Sequence, residues 1–238
     1  MTEKLYMDDC YQKGFNADII QIGNGYIVLD QTAFYPKGGG QPSDTGRLAT
    51  DSAETQVNRV RREDGDIRHF VDTTDGFSKG DTVEGIIDWE RRHRLMRMHT
   101  AQHILSAVVL DEFDAETAGN QIHEDYSRMD FEPIQFTDQQ LQKLENRCNS
   151  IIEEELDVSI YYEDRDDLIE DLPPGRSNLD LIPDHVDPLR VVEIEDTDIC
   201  PCGGTHVRNT GEIGQIEITG RQSKGEDIDR VTFTLHDT

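Results

Sequence analysis

The chain is poor in cysteine, in aromatic residues and in positive charge, and it has no long apolar run. Four cysteines in 238 residues do not make a disulfide framework: Cys10 and Cys148 stand alone, and only Cys200 and Cys202 lie close together. No stretch approaches the roughly 20 apolar residues of a membrane helix, and Met1-Thr2-Glu3-Lys4 opens without a signal-like segment. A cytoplasmic protein with no membrane partner is therefore expected. Hydrophobic residues make up 34%, a low share but grouped well enough for cores. Two nucleotide and protease signatures are also missing. Gly38-Gly39-Gly40-Gln41 lacks the Gly-Lys-Ser/Thr ending of a phosphate loop, which argues against ATP-driven chemistry, and Thr100 stands where a zinc protease helix carries its catalytic Glu.

Twenty-three basic residues against 50 acidic ones leave a net charge of -27. Like charges repel, so the total argues against a nucleic-acid partner. The excess is spread along the chain rather than gathered in a tail. A dispersed acidic surface suits a halophilic protein in molar salt, where the Debye length is about 3 Å and distant repulsion nearly vanishes. Local placement of the few cations then matters more than the sum.

The predicted fold class is α+β in two domains, residues 1–89 and 90–238. The first reads as a small antiparallel β-barrel. Ile19-Ile20 and Tyr26-Ile27-Val28-Leu29 flank Gly23-Asn24-Gly25, and Val57 to Val60 and Ile67 to Val71 flank Glu63-Asp64-Gly65, both hairpin signals. Between them Phe34-Tyr35-Pro36-Lys37-Gly38-Gly39-Gly40-Gln41-Pro42 is too rich in Gly and Pro for a strand. It reads either as a surface turn or as backbone pressed against a ligand.

From Glu90 to Leu110 the pattern is helical, with His99 and His103 one turn apart on one face. Arg91, Arg92, Arg94 and Arg97 precede them, the densest basic run in the chain, and read either as a solvated face or as phosphate contacts. Met129-Asp130-Phe131 looks like a strand. Thr137 to Gln140 resembles a capping box opening a helix that carries Leu141, Leu144, Cys148, Ile151 and Ile152. Strands are predicted at Leu189 to Ile194, Gln215 to Ile218 and Val231 to Leu235. The second domain is thus expected to pack helices on one side of an antiparallel sheet.

Two stretches a hundred residues apart carry the chemistry. His99-Thr100-Ala101-Gln102-His103 and Cys202-Gly203-Gly204-Thr205-His206 each offer two donors four residues apart. Together His99, His103, Cys202 and His206 make a full ligand set for Zn2+. Cys200 can replace a ligand or merely line the site; the reading adopted takes Cys202. A purely structural zinc knuckle needs neither the Thr100 and Thr205 hydroxyls nor the glycine loop, so a catalytic centre is favoured over a non-catalytic, zinc-stabilised RNA-binding module.

These motifs resemble the editing domain of alanyl-tRNA synthetases, the free-standing AlaX proteins and the second additional domain of threonyl-tRNA synthetases. Four segments match in order: Phe34-Tyr35-Pro36 with Gly39-Gly40-Gln41 and Asp44-x-Gly46; His99 to His103; Ser127-Arg128-Met129-Asp130-Phe131; and Cys202 to Val207. The resemblance implies a medium-length AlaX protein with an N-terminal glycine motif. Its expected substrate is tRNA(Ala) mischarged with serine, perhaps also glycine, which it hydrolyses with zinc held by His99, His103, Cys202 and His206. It places Thr117 where the family distinguishes serine from alanine, although synthetases usually carry Gln there. Thr100, Gly39, Gly40 and Gln41 are expected to act in catalysis, and Asp130, Thr205, Arg91 and Arg92 to bind substrate. An aminoacyl ester is already activated, so water needs only to be placed and the oxyanion steadied. Three His and one Cys fill a tetrahedron, so a zinc-activated water has a place only if a ligand leaves or the coordination expands.

Overall fold

The computed structural model describes residues 2–237. The chain divides into two compact units, Met1–Leu95 and Met96–Thr238. The division falls inside a helix rather than before it.

In the first unit β1 (Glu3–Lys4) and the short helix α1 (Leu5–Asp8) precede the strands of a barrel. These are β2 (Gly14–Gly23), β3 (Tyr26–Leu29), β5 (Gly46–Ala49), β6 (Glu54–Glu63), β7 (Asp66–Val71) and β8 (Thr82–Ile87), with β4 (Gln31–Thr32) pairing in parallel with β1. The barrel closes in the order β2-β3-β7-β6-β5-β8, every pair antiparallel. Both expected hairpins form. At the second, Asp64 and Gly65 have φ of 53° and 85°, the two positive values of a type I′ turn. Alternating residues such as Phe15, Ala17 and Ile19 of β2 fill the interior with Ile27, Leu48, Val60 and Val83.

Several motif residues of this unit are explained by folding. Asp44, fully buried, accepts the Tyr35 backbone N–H at 2.6 Å and the guanidinium of Arg92, whose Nε lies 2.9 Å from Oδ1. Arg92 also donates to the carbonyls of Cys10 (2.8 Å) and Ala33 (2.6 Å). A Cβ on Gly46 would lie 2.1 Å from the Ile86 carbonyl, so only glycine fits there. Gly38 and Gln41 bond each other's carbonyls (2.9 and 3.2 Å), with Gly39 and Gly40 at φ of 54° and 82°. The glycines are thus required by the turn itself.

The second unit contains most of the helix α2 (Trp89–Phe113). It continues with β9 (Glu116–Ile122), β10 (Ser127–Glu132), α3 (Asp138–Glu153), β11 (Val158–Glu163), α4 (Arg165–Asp171), β12 (Leu189–Ile194), β13 (Asp198–Pro201), β14 (Gln215–Gly225) and β15 (Ile228–His236). The strands form two sheets, β14-β15-β10-β9 and β11-β12-β13, both antiparallel. A single sheet was expected. The physical reason for the second is that four consecutive residues of β12, Leu189 to Val192, are buried, so this strand is covered on both faces and pairs on both edges within its own sheet. The capping box of α3 is present, Thr137 and Gln140 each bonding the other's backbone N–H. Leu144, Cys148, Ile151 and Ile152 are its buried face. Among the described residues no helix is long and apolar enough to cross a membrane.

Candidate metal centre

Two segments of the second unit bring four donors together. His99 and His103 come from α2, one turn apart. Cys202 and His206 come from the loop after β13. The ligand atoms of all four lie within 4.8 Å of one another. Cys202 Sγ is 3.3 Å from His206 Nε2 and 3.6 Å from His99 Nε2. A tetrahedron with bonds of about 2.0–2.3 Å has edges of about 3.3–3.8 Å, so the separations fit a zinc-sized ion. The donors fit the metal chemically, being one thiolate and three imidazoles. Cys200 is outside the cluster. It is paired with Val192 in the sheet, and burial pushes its thiol up to about 12, which leaves it a poor ligand.

Local interactions fix each donor. The backbone of Cys202 is clamped by Arg190: its N–H donates to the Arg190 carbonyl at 3.0 Å and its carbonyl accepts from Arg190 Nη1 at 2.5 Å. The Gly204 N–H points at Cys202 Sγ (3.4 Å). Burial alone would raise the Cys202 thiol, but His99 and His206 beside it, with hydrogen bonds from His103 and His206, hold it well below its ordinary value. His206 is likewise driven well down, by burial and by His99. Burial opposes charge on His103 too, yet its bonds to Asp198 and Cys202 carry it up to about 9.

Three neighbours went unnoticed in the sequence. Asp198 Oδ2 accepts from His103 Nδ1 at 2.9 Å, and Arg176 holds that carboxylate through both Nε and Nη2, the latter at 2.7 Å. Neither residue belongs to the spaced motifs, and only the fold places them. Gln102 is the other: it is 2% exposed, and neither its amide oxygen nor its nitrogen has a hydrogen-bond partner.

The remaining predicted residues separate clearly. Thr100 is wholly buried; its hydroxyl donates to the Met96 carbonyl (3.1 Å) and accepts from His206 Nδ1 (3.1 Å) and the Val207 N–H (3.3 Å). One proton and two lone pairs are all committed, so Thr100 orients a ligand and has nothing left for a reacting ester. Thr117 is brought to α2, its Oγ1 2.8 Å from Ser106 Oγ. Ser106 shares the helical side of His99, Gln102 and His103. Thr205 is buried in the loop between the two ligands. Asp130 is not on the site face. Ser127, Met129 and Phe131 alternate inward, with Ser127 bonding Met98 of α2, and Asp130 points the other way, where Arg230 holds it at 2.6 and 2.7 Å. Arg92 has no exposed surface, all its donors serving Asp44 and two carbonyls, so it cannot meet a phosphate. Arg91 donates to the Ser43 carbonyl (3.3 and 3.2 Å) and Arg97 to Ile213 and Asp237. Gly39, Gly40 and Gln41 lie in the first unit, in the turn already described.

Both the barrel unit and the later part of the chain are similar to domains of tRNA synthetases. Residues 4–91 match the model of class II (A) tRNA synthetases, and residues 189–232 that of the threonyl and alanyl tRNA synthetase second additional domain. The chain is 42% identical to the alanyl-tRNA editing protein AlaX-M of Methanosarcina barkeri, over the whole of both chains. It is 38% identical to AlaX-M of Saccharolobus solfataricus over 99% of each, and 35% identical to AlaX-L of Pyrococcus horikoshii over 98% of this chain and 58% of that one. The chain belongs to the AlaX family of alanyl-tRNA editing proteins.

Proposed function

We propose that the protein is a trans-editing hydrolase that removes serine from mischarged tRNA(Ala) at a zinc centre held by His99, His103, Cys202 and His206. The observation that carries this reading is the convergence of those four donors in a member of an alanyl-tRNA editing family. Water adds to the ester carbonyl, the bond to the ribose oxygen breaks, and free amino acid and tRNA leave. When bound, Zn2+ supplies a Lewis acid that polarises oxygen or orients substrate. The chain's own groups bind and position. Thr100 and Asp198 hold two imidazoles with Nδ1 engaged and Nε2 turned inward. The Ser106–Thr117 hydroxyl pair, with the Gln102 amide on the same helical side, offers polar groups to a seryl hydroxyl. A site built to bond a hydroxyl rejects the analogue without it far better than an apolar pocket can reject an extra one, which favours serine over alanine. The glycine turn of the first unit uses the N–H groups of Gly38 and Gln41 on itself, so of its expected contacts with RNA those of Gly39 and Gly40 are left.

Deacylation of Ser-, Gly- and Ala-tRNA(Ala), compared at high salt with and without chelator, tests the reading. Rapid, chelator-sensitive release from Ser-tRNA(Ala) and little from Ala-tRNA(Ala) is expected. Equal rates with chelator would remove zinc from the reaction. One observation favours the second reading, a non-catalytic tRNA-binding module: the four donors form a closed ligand set. In that case chelation unfolds the second unit instead of stopping turnover.

A further inference from the structure

We infer that Asp198, clamped by Arg176, is the positioning residue that fixes the ring of His103 and thereby sets how tightly the centre holds its metal. This rests on the proposed zinc site. The carboxylate has 1% of its side-chain surface exposed and Arg176 has 8%, so neither is there to meet solvent. Its two oxygens are fully used: one takes Arg176 Nε, the other takes both Arg176 Nη2 and His103 Nδ1. An ionised carboxylate only accepts, so Nδ1 of His103 carries the proton, and in the neutral ring that a metal requires Nε2 is left with the lone pair for the centre. Thr100 does the same for His206 with a neutral hydroxyl.

Arg176 is delivered by the Pro173-Pro174-Gly175 break, its N–H bonding the Pro173 carbonyl at 3.1 Å with Gly175 at φ +80°. A buried ion pair that joined the 173–176 turn to β13 for stability alone would be a poor device, because desolvation cancels most of its attraction. Bonding a metal ligand is a use for which the charge is needed. Outer groups of this kind typically change metal affinity by 10–100-fold.

The test is a double-mutant cycle on the full chain, with Zn2+ titrated against a chromogenic chelator. Asp198→Asn should weaken zinc binding by 10–100-fold and do nothing further in a His103→Ala background, where the ring it positions is gone. Arg176→Gln should give a smaller fall, again only with His103 present, which covers the case in which Asp198→Asn does not melt cooperatively. Tight binding by the wild type with less than twofold loss in both variants overturns the inference and leaves the zinc centre standing. An equal loss in both backgrounds also overturns it, as the effect of a merely structural residue. Failure of the wild type to bind zinc would instead sink the metal reading itself.

Discussion

Thr100 Oγ1 lies 3.1 Å from His206 Nδ1 while donating its own proton to the Met96 carbonyl one turn back. A hydroxyl beside two metal ligands looks catalytic in a sequence; here its hydrogen-bonding capacity is exhausted. Thr100→Val should weaken zinc binding, yet recover most of the deacylation rate at saturating zinc. Persistent loss of kcat at full zinc occupancy would return Thr100 to the reacting ester.

Arg92 belongs in the first unit's core rather than on RNA. Removing one member of a buried, hydrogen-bonded ion pair leaves the other charge stranded, at a cost of about 3–5 kcal/mol. Arg92→Met and Asp44→Asn should each lower the melting temperature sharply, and the salt slope of tRNA binding should not change in whatever fraction stays folded. A near-neutral melt, or a shallower slope, would count for the phosphate contact.

The first unit also carries a pH dependence. His69 is fully buried, bonding Thr32 Oγ1 (2.8 Å) and the Ile27 carbonyl (3.1 Å), and burial brings it down to about 4. Because its folded value lies below the unfolded 6.5, the unfolded chain takes up the proton first on acidification. The stability from keeping it neutral is full above pH 6.5 and is lost between 6.5 and 4, in all about 3 kcal/mol. Denaturation at pH 7 and pH 4 should show that loss in wild type and much less in His69→Gln; equal pH slopes would refute it.

The barrel and the clustering of His99, His103, Cys202 and His206 were legible because each rests on short-range chemistry. Gly25, Asp64 and Gly65 announce turns, and His-x-x-x-His and Cys-x-x-x-His announce ligand pairs. The polar edge strand β9, Glu-Thr-Ala-Gly-Asn-Gln-Ile, was not legible, since an edge strand open on one side needs no hydrophobic alternation. Asp198 and Arg176 were invisible for another reason: a second layer is set by which chain segments meet, and no spacing encodes it. The arginine run misled because charge density along a sequence says nothing of burial, and three of its members serve carbonyls or carboxylates.

The two clustered cysteines should behave differently. Cys202→Ser removes the thiolate and should abolish stoichiometric zinc. Cys200→Ser, at a buried strand position whose thiol stays protonated, should keep one zinc per chain. Loss of metal in the Cys200 variant without loss of fold would put that sulfur in the centre.

Gln102 is the sharpest test of the substrate side. An amide buried with neither end bonded costs about 1–3 kcal/mol, and an apolar residue of similar size would relieve that cost. Gln102→Leu should therefore leave the melting temperature unchanged or raised. If the amide meets the seryl group, the same variant should lose kcat/KM on Ser-tRNA(Ala) by 10-fold or more, because about 1.4 kcal/mol of hydrogen bonding is a factor of ten. Zinc content should not change, since Gln102 touches no ligand atom in the described hydrogen bonds. A variant that is more stable and equally active would show that the amide is only a packing defect, and the reading of serine would then rest on Ser106 and Thr117 alone.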